Sequence, residues 1–279
     1  MIQSLFSGVS GMLANQADIE IIGNNISNSN TDGFKASRAN FTESFLQVSR
    51  NATLNDPVGL GVGLGTQVNS STTDFNQGVF QTTNINTDMG INGNGWFAVQ
   101  SINGDNYVTR NGAFVEDSSG YLRTPDGNYL MGVTGATAPT SPSTGFPPDK
   151  IQIPATVASG SPVVSFSIDT TGAITVTGQD GTTGIAGYVT VQNYNNNNGL
   201  TDAGNSLYSY GIAAGANQYY QAGSNGVGTI QTGVLETSNV DLSTEFSNMI
   251  IAQNGFDAAA KVITTSAELL QTVDQLKSQ

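Results

Sequence analysis

Apolar positions near the start of the chain recur at alternating spacings of four and three, the rhythm that lines residues along one side of a helix. Leu5, Val9, Met12, Gln16, Ile19, Gly23 and Ile26 follow it, and Ile2, Phe6, Leu13 and Ile22 widen the stripe. The rhythm stops in NNISNSNTDGF, where Asn, Ser and Gly supply caps and turns. The far end repeats it through Leu242, Phe246, Met249, Gln253, Phe256, Ala260, Ile263, Ala267 and Leu270, with Val273 and Leu276 prolonging the face. Asp241 or Ser243 can cap this second helix, and Glu245 falls in its first turn. Its length would be about 35 residues, or roughly 50 Å. A helix that long needs a partner for its apolar side. Either the two ends only close on each other as an antiparallel hairpin, or both stripes also dock on neighbouring subunits.

Between the ends the period falls to two. Trp96-Phe97-Ala98-Val99 and Tyr107-Val108-Thr109 flank SINGDN and read as a hairpin. Ala113-Phe114-Val115 and Tyr121-Leu122 flank EDSSG as another, and TPDGNY supplies a third turn. VVSFSI, AITVT and YVTVQNY alternate apolar and polar residues across Gly-rich turns, which points to an antiparallel barrel or sandwich. The predicted fold is therefore α+β, with long N- and C-terminal helices paired as a coiled coil and a β-rich antiparallel middle domain. Its expected borders are 1–40 with 236–279 for the discontinuous helical part, 41–75 for an extended connector, and 76–235 for the β-rich part. Residues 136–148, with four prolines, and NNNNG at 195–199 read as loops.

Composition narrows the functions open to such a chain. Of 279 residues only 10% are charged, with 21 acidic against 8 basic and a formal charge of −13. That balance offers no basic patch for phosphates, so neither nucleic acid nor an anionic membrane is an expected partner. Cys and His are both absent. Thiol and Ser-His-Asp nucleophiles, thiolate or imidazole zinc sites and a histidine switch go with them. Stability without disulfides must come from packing or from adjacent subunits. No stretch reaches the roughly 20 apolar residues that cross a bilayer. The opening residues lack a positive n-region, Lys35 being the first basic residue, so export would use a route other than a cleaved signal peptide.

The remaining chemical motifs read as structure. GLGVGLG at 59–65 has no GK[ST] ending and no strand before it, and it suits an extended connector better than a phosphate loop. Asp-Gly at 32–33, 126–127 and 180–181 never continues into a twelve-residue calcium loop, which leaves turns. The carboxylates are scattered, with no pair that suggests glycoside hydrolysis. Trp96, in an alternating strand beside Phe97, reads as a core or interface residue rather than a sugar platform. No catalytic, metal or cofactor residue is expected.

Three blocks carry a family resemblance. In IIGNNISNSNTDGFKASR at 21–38 the matching positions are Asn24, Asn25, Ile26, Asn28, Asn30, Thr31, Gly33, Phe34 and Lys35, while Ser27 and Ser29 depart. In the stretch from FNQGVF to TPDG they are Gln77, Gly78, Asp88, Gly93, Gly95, Phe97, Tyr107, Thr109, Arg110, Gly112, Phe114, Gly120 and Leu122, with Trp96 where Phe is common. In GVLETSNVDLSTEFSNMIIAQNGF they are Leu235, Glu236, Ser238, Asn239, Val240, Asp241, Met249, Ile250 and Gln253, followed by Ile263 and Thr264; Asn254 replaces a basic residue. Together the blocks resemble the bacterial flagellar axial proteins, the rod and hook subunits. The Asn-Val-Asp-Leu-Ser start of the last helix and its Val-Ile-Thr-Thr-Ser stretch look like the hook protein, whereas the short length looks like the distal rod subunit. Residues 46–58 fit either. The reading places hook first and distal rod second.

The resemblance implies a structural subunit rather than an enzyme. It would be exported unfolded through the flagellar type III apparatus and would polymerise with itself into a hollow helical tube. Such a tube transmits torque from rod to filament, bending if it is a hook and stiff if it is a rod. The implied neighbours are other axial proteins of the rod, the hook cap and the hook–filament junction. The implied assembly interface comprises Leu5, Val9, Met12, Ile19, Ile26, Asn24, Asn25, Asn30, Phe34, Leu242, Phe246, Met249, Phe256, Ile263 and Leu270. A secreted β-rich adhesion or binding module, whose helices only close a monomer, is the reading from another class.

Overall fold

A computed structural model describes residues 2–44, 46–50, 60–139 and 142–277, so part of the 46–58 stretch lies outside the described residues. The chain divides into two compact units. One collects Met1–Ser29, Ala36–Asp74 and Val240–Gln279; the other collects Asn30–Lys35 and Phe75–Asn239.

The terminal unit is built on two helices, α1 (Ile2–Ser27) and α2 (Leu242–Lys277). Neither contains proline, and both keep apolar residues at whole-turn intervals, which sustains a helix over such lengths. α2 has 36 residues and is thus about 54 Å long. Asp241 caps its start: the Ser243 amide donates to Asp241 Oδ1 at 2.9 Å and the Thr244 hydroxyl to Oδ2 at 2.9 Å. The two helices pack against each other, Ser4 beside Ser266, Gly8 beside Ile263 and Asn15 beside Gly255, which makes them antiparallel. A hairpin of Ser37–Glu43 and Thr66–Thr73 lies against α1, with a register shift between Asn40 and Phe41. Part of the predicted connector is thus paired strand. The first residues of the Gly-rich run pair likewise, Leu60–Gly63 with Leu46–Arg50.

The middle unit is antiparallel throughout its described pairings. The predicted hairpins are present: Trp96–Gln100 pairs with Asn106–Thr109, and Val115–Glu116 pairs with Leu122–Arg123. The latter pairs in turn with Tyr129–Thr134. Thirteen described strands join into one branched sheet around Thr183–Asn193, which touches Ala173–Gly178, Tyr129–Thr134, Trp96–Gln100 and Gln218–Gln221. Alternation explains its two sides. Val189 and Val191 enter a large core with Met89, Ile91, Phe97, Phe114, Ile174 and Ile230, while Trp96, Val108, Tyr194 and Tyr208 form a second cluster. Trp96 is buried with Phe75 and Tyr208 edge-on at 5.4 and 5.1 Å, so it packs rather than offering a platform. Two small ribbons complete the unit, Phe80–Thr82 with Val234–Glu236 and Met89–Asn92 with Thr229–Thr232. Among the described residues, no helix is long and apolar enough to cross a membrane.

Candidate functional site

The contact between α1 and α2 runs over small residues. A β-carbon at Gly8 would come within 2.9 Å of Ile263 Cγ1, and one at Gly11 within 3.7 Å of Ala259 Cβ. Ala14, Ala252 and Ser266 are buried. Small residues let the backbones approach closely, and that leaves the larger apolar side chains beside the seam or away from it. Phe6 (60% exposed) and Leu13 stand one heptad apart on the open side of α1. On α2, Leu242, Phe246 and Ile250 form one exposed row. Ile251 (69% exposed), Val262, Leu269, Val273 and Leu276 (75% exposed) form another, and their positions project within one narrow stripe of a 3.6-residue helix. Between Ile251 and Val262 the second row passes Gly255, which packs against Asn15.

The residues expected at an assembly interface fall into three environments. Leu5, Val9, Met12, Ile19 and Ile26 on α1, and Met249, Phe256 and Ile263 on α2, are half-buried within the terminal unit. Asn24, Leu242, Phe246 and Leu270 are exposed there. Asn25 is buried, and its side chain is engaged in its own unit: it donates to Ser37 O at 2.8 Å and accepts from the Ser37 amide at 3.0 Å. Asn30, exposed, and Phe34, half-buried, belong to the middle unit. The exposed positions Phe6, Leu13, Ile250, Ile251, Val262 and Leu269 were not among those expected, because a stripe drawn through the commonest heptad positions passes beside them.

A second arrangement, inside the middle unit, was not legible at all. Lys35, Arg110 and Glu236 come one from each of the three motif blocks and meet in the interior. Lys35 Nζ lies 2.5 Å from Glu236 Oε1, with both side chains fully buried, and Arg110 Nη1 lies 3.2 Å from Oε2. The remaining capacity is mostly satisfied by backbone. Lys35 also donates to Asn76 O at 2.8 Å, the Gly78 amide to Glu236 Oε1 at 3.0 Å, and Arg110 to Ile91 O at 3.3 Å and Gly93 O at 2.8 Å. The Arg110 guanidinium lies over Trp96, 5.4 Å from the ring centroid. Burial holds its pKa below the ordinary value, and the Glu236 carboxylate opposes that shift. Gly33 completes the cluster. Its amide donates to Glu236 O at 2.7 Å, its φ is +69°, and a β-carbon there would strike Asn111 N at 2.5 Å.

The charges of this cluster face one another or backbone groups, although Arg110 Nε has no hydrogen-bond partner, and together they clasp three distant segments. Asn76 O, which accepts from Lys35, also accepts from Asn239 Nδ2 at 3.1 Å. Among the described residues, no group of three or more acidic side chains is arranged to hold a metal.

The comparisons with known proteins fall on the same segments. Residues 5–35 match the family described as flagella basal body rod protein, 90–176 the flagellar hook protein FlgE/F/G D1 domain, and 231–276 the flagellar basal body rod FlgEFG protein C-terminal family. The flagellar basal-body rod protein FlgG of Bacillus subtilis is 35% identical over 283 residues, covering 99% of this chain and 100% of that protein. That of Borreliella burgdorferi is 33% identical over 286 residues, covering all of both. The chain belongs to the flagellar rod and hook protein family. A flagellar hook protein FlgE, from Helicobacter mustelae, is 48% identical over 99 residues, which are 33% of this chain and 22% of that protein. In this flagellar chain, then, Lys35 lies in the first matched segment, Arg110 in the second and Glu236 in the third. The clasp is where the family's three segments meet.

Proposed function

We propose that the chain is a structural subunit of the bacterial flagellar rod, assembling into a helical tube through the uncovered faces of its terminal helices. The observation that carries the reading is full-length similarity to proteins named for the basal-body rod, against a hook match confined to 99 residues. This favours rod over the hook assignment that the local motifs suggested. Those motifs lie in the helices and the β-rich entry, which rod and hook proteins have in common within one family, so they discriminate weakly between the two.

The geometry supports assembly. Covering the exposed row of Ile251, Val262, Leu269, Val273 and Leu276 would gain about 1.5–3 kcal/mol for each large side chain fully buried. Set against a different face of a neighbouring copy, the stripe makes a heterologous contact that repeats without closing, which is the geometry of a tube. In this reading α1 and α2 act as a coiled-coil pair. Leu5, Val9, Met12, Ile19, Ile26, Leu242, Phe246, Met249, Phe256, Ile263 and Leu270 contribute to the helical contacts, with Asn24, Asn30 and Phe34 nearby, while Asn25 positions the first strand. The β-rich unit forms the outer wall. Other axial proteins cap the two ends of the tube, and the flagellar export apparatus delivers the chain.

The hook reading keeps one specific support, the higher local identity to a hook protein. Electron microscopy of full-length protein grown from sheared seeds separates the two. Straight tubes are expected for a rod subunit, and curved or supercoiled tubes would transfer the assignment to the hook.

A further inference from the structure

The hub strand of the middle unit carries two buried polar groups that its protein neighbours do not satisfy. Thr190 and Gln192 are fully buried, yet Thr190 Oγ1 and Gln192 Nε2 have no hydrogen-bond partner within the protein. An unmet donor or acceptor of this kind is destabilising. The two residues stand two apart on Thr183–Asn193 and so share one face, opposite to that of Val189 and Val191, which enter the large core. The other end of the Gln192 amide is occupied, because the Tyr194 hydroxyl donates to Oε1. Exchanging the amide's oxygen and nitrogen would leave an orphan acceptor in place of the orphan donor, and the deficit would stay.

We propose that Thr190 and Gln192 together bind one internal water molecule, a structural hydration site in the sheet of the middle unit. Same-face neighbours on a strand are separated by about 6.6 Å at Cα, and a water bonded to both side chains spans up to about 5.8 Å. The water accepts from Gln192 Nε2 and donates to Thr190 Oγ1, or takes the reverse sense if the amide is turned. Ala98, a small residue one pleat from Trp96, lies on the strand that pairs Trp96 with Gln192. The consequence is register. Sliding this strand by one residue would bring Val189 or Val191 onto the water and the polar pair into the apolar core. Its four partner strands depend on that register.

The sign of one isosteric substitution separates a hydrated pair from a dry one. If both orphans were dry, Thr190→Val would remove an unmet hydroxyl and raise the melting temperature of the full-length chain. If water bridges them, Thr190→Val strands the water and lowers it by about 2–4 °C. Gln192→Leu also lowers it, and the double variant loses less than the sum of the two because both act on one water. A crystal structure resolving solvent would show a peak in hydrogen-bond reach of both side chains. Thr190→Val melting at or above the parent temperature, or additive effects with no such peak, overturns the site.

Discussion

The two units handle their apolar residues in opposite ways. In the middle unit Met89, Ile91, Phe97, Val99, Leu130 and Ile230 are fully buried, and even the charges of Lys35 and Glu236 have been taken inside and paired. In the terminal unit the buried residues are mostly small or polar, Ala14, Asn25, Ala39, Ala252 and Ser266, with Ile22 the one large apolar side chain among the described buried residues, while Phe6, Ile250, Ile251, Val262 and Leu269 are exposed. The middle unit exposes large apolar residues singly, as at Val79, Ile102 and Ile212, whereas the helices expose theirs in rows. For a member of the flagellar rod and hook family the difference is informative. The β-rich unit stores stability within the chain, and under the proposed function the exposed rows of the helices are the surface that contacts between chains would cover.

The comparison breaks most severely at the clasp. Glu236→Ala leaves two buried cations without their carboxylate and is expected to destabilise the middle unit by about 3–5 kcal/mol. Calorimetry should find that transition strongly lowered, with circular dichroism still reporting helix. Next comes the seam between the helices. Gly8→Val forces a side chain against Ile263 and Ala259, for an expected loss of about 1–3 kcal/mol. Here the order reverses: limited proteolysis should open α1 and α2 first and spare the sheet.

A smaller contrast lies in pH. Asp32 in the middle unit has a raised pKa, first from burial and then from Asp88; its stabilising proton is present at low pH and is lost as pH rises through its folded value. Asp241 at the start of α2 has a lowered pKa, chiefly from the Thr244 hydroxyl and the Ser243 amide. Its contribution is present above the ordinary carboxylate range and is lost as pH falls through its depressed folded value. Asp32→Asn should therefore raise the melting temperature slightly at neutral pH and not below pH ~3, whereas Asp241→Ala should lower first-turn helicity at neutral pH and not in strong acid. Equal responses of both variants across that range would contradict the two environments. The smallest expected effect on the monomer belongs to the open stripe. Ile251→Ser and Leu269→Ser each alter exposed side chains and should shift monomer stability by less than about 0.5 kcal/mol, whereas Val262→Ser should cost more because Val262 also lies beside Gly8 in the helix seam.

Local pattern was enough to read the helices and hairpins. SINGDN sits between alternating runs, and Asp241 stands one residue before a periodic stripe, so each element announces itself within a dozen residues. The packing of the helices was less legible. A heptad drawn through Leu5, Val9 and Met12 marks the apolar side of α1, yet Gly8, Gly11 and Ser4 set the contact with α2, because close approach rewards small residues rather than large ones. The clasp was invisible for a different reason. Lys35, Arg110 and Glu236 are separated by up to 201 residues in sequence, and no periodicity connects such positions. Each family block holds several charged residues, Asp32 and Arg38 beside Lys35 in the first, so charge alone does not single the three out.

The most direct test of an assembling helical face compares full-length protein with the Ile251→Ser, Val262→Ser, Leu269→Ser triple variant in seeded growth followed by electron microscopy. The parent should extend the seeds as straight tubes, and the variant should remain monomeric with an unchanged calorimetric transition of the middle unit. Tubes formed equally well by the variant would contradict the account. So would a parent that stays monomeric with both helices already resistant to protease.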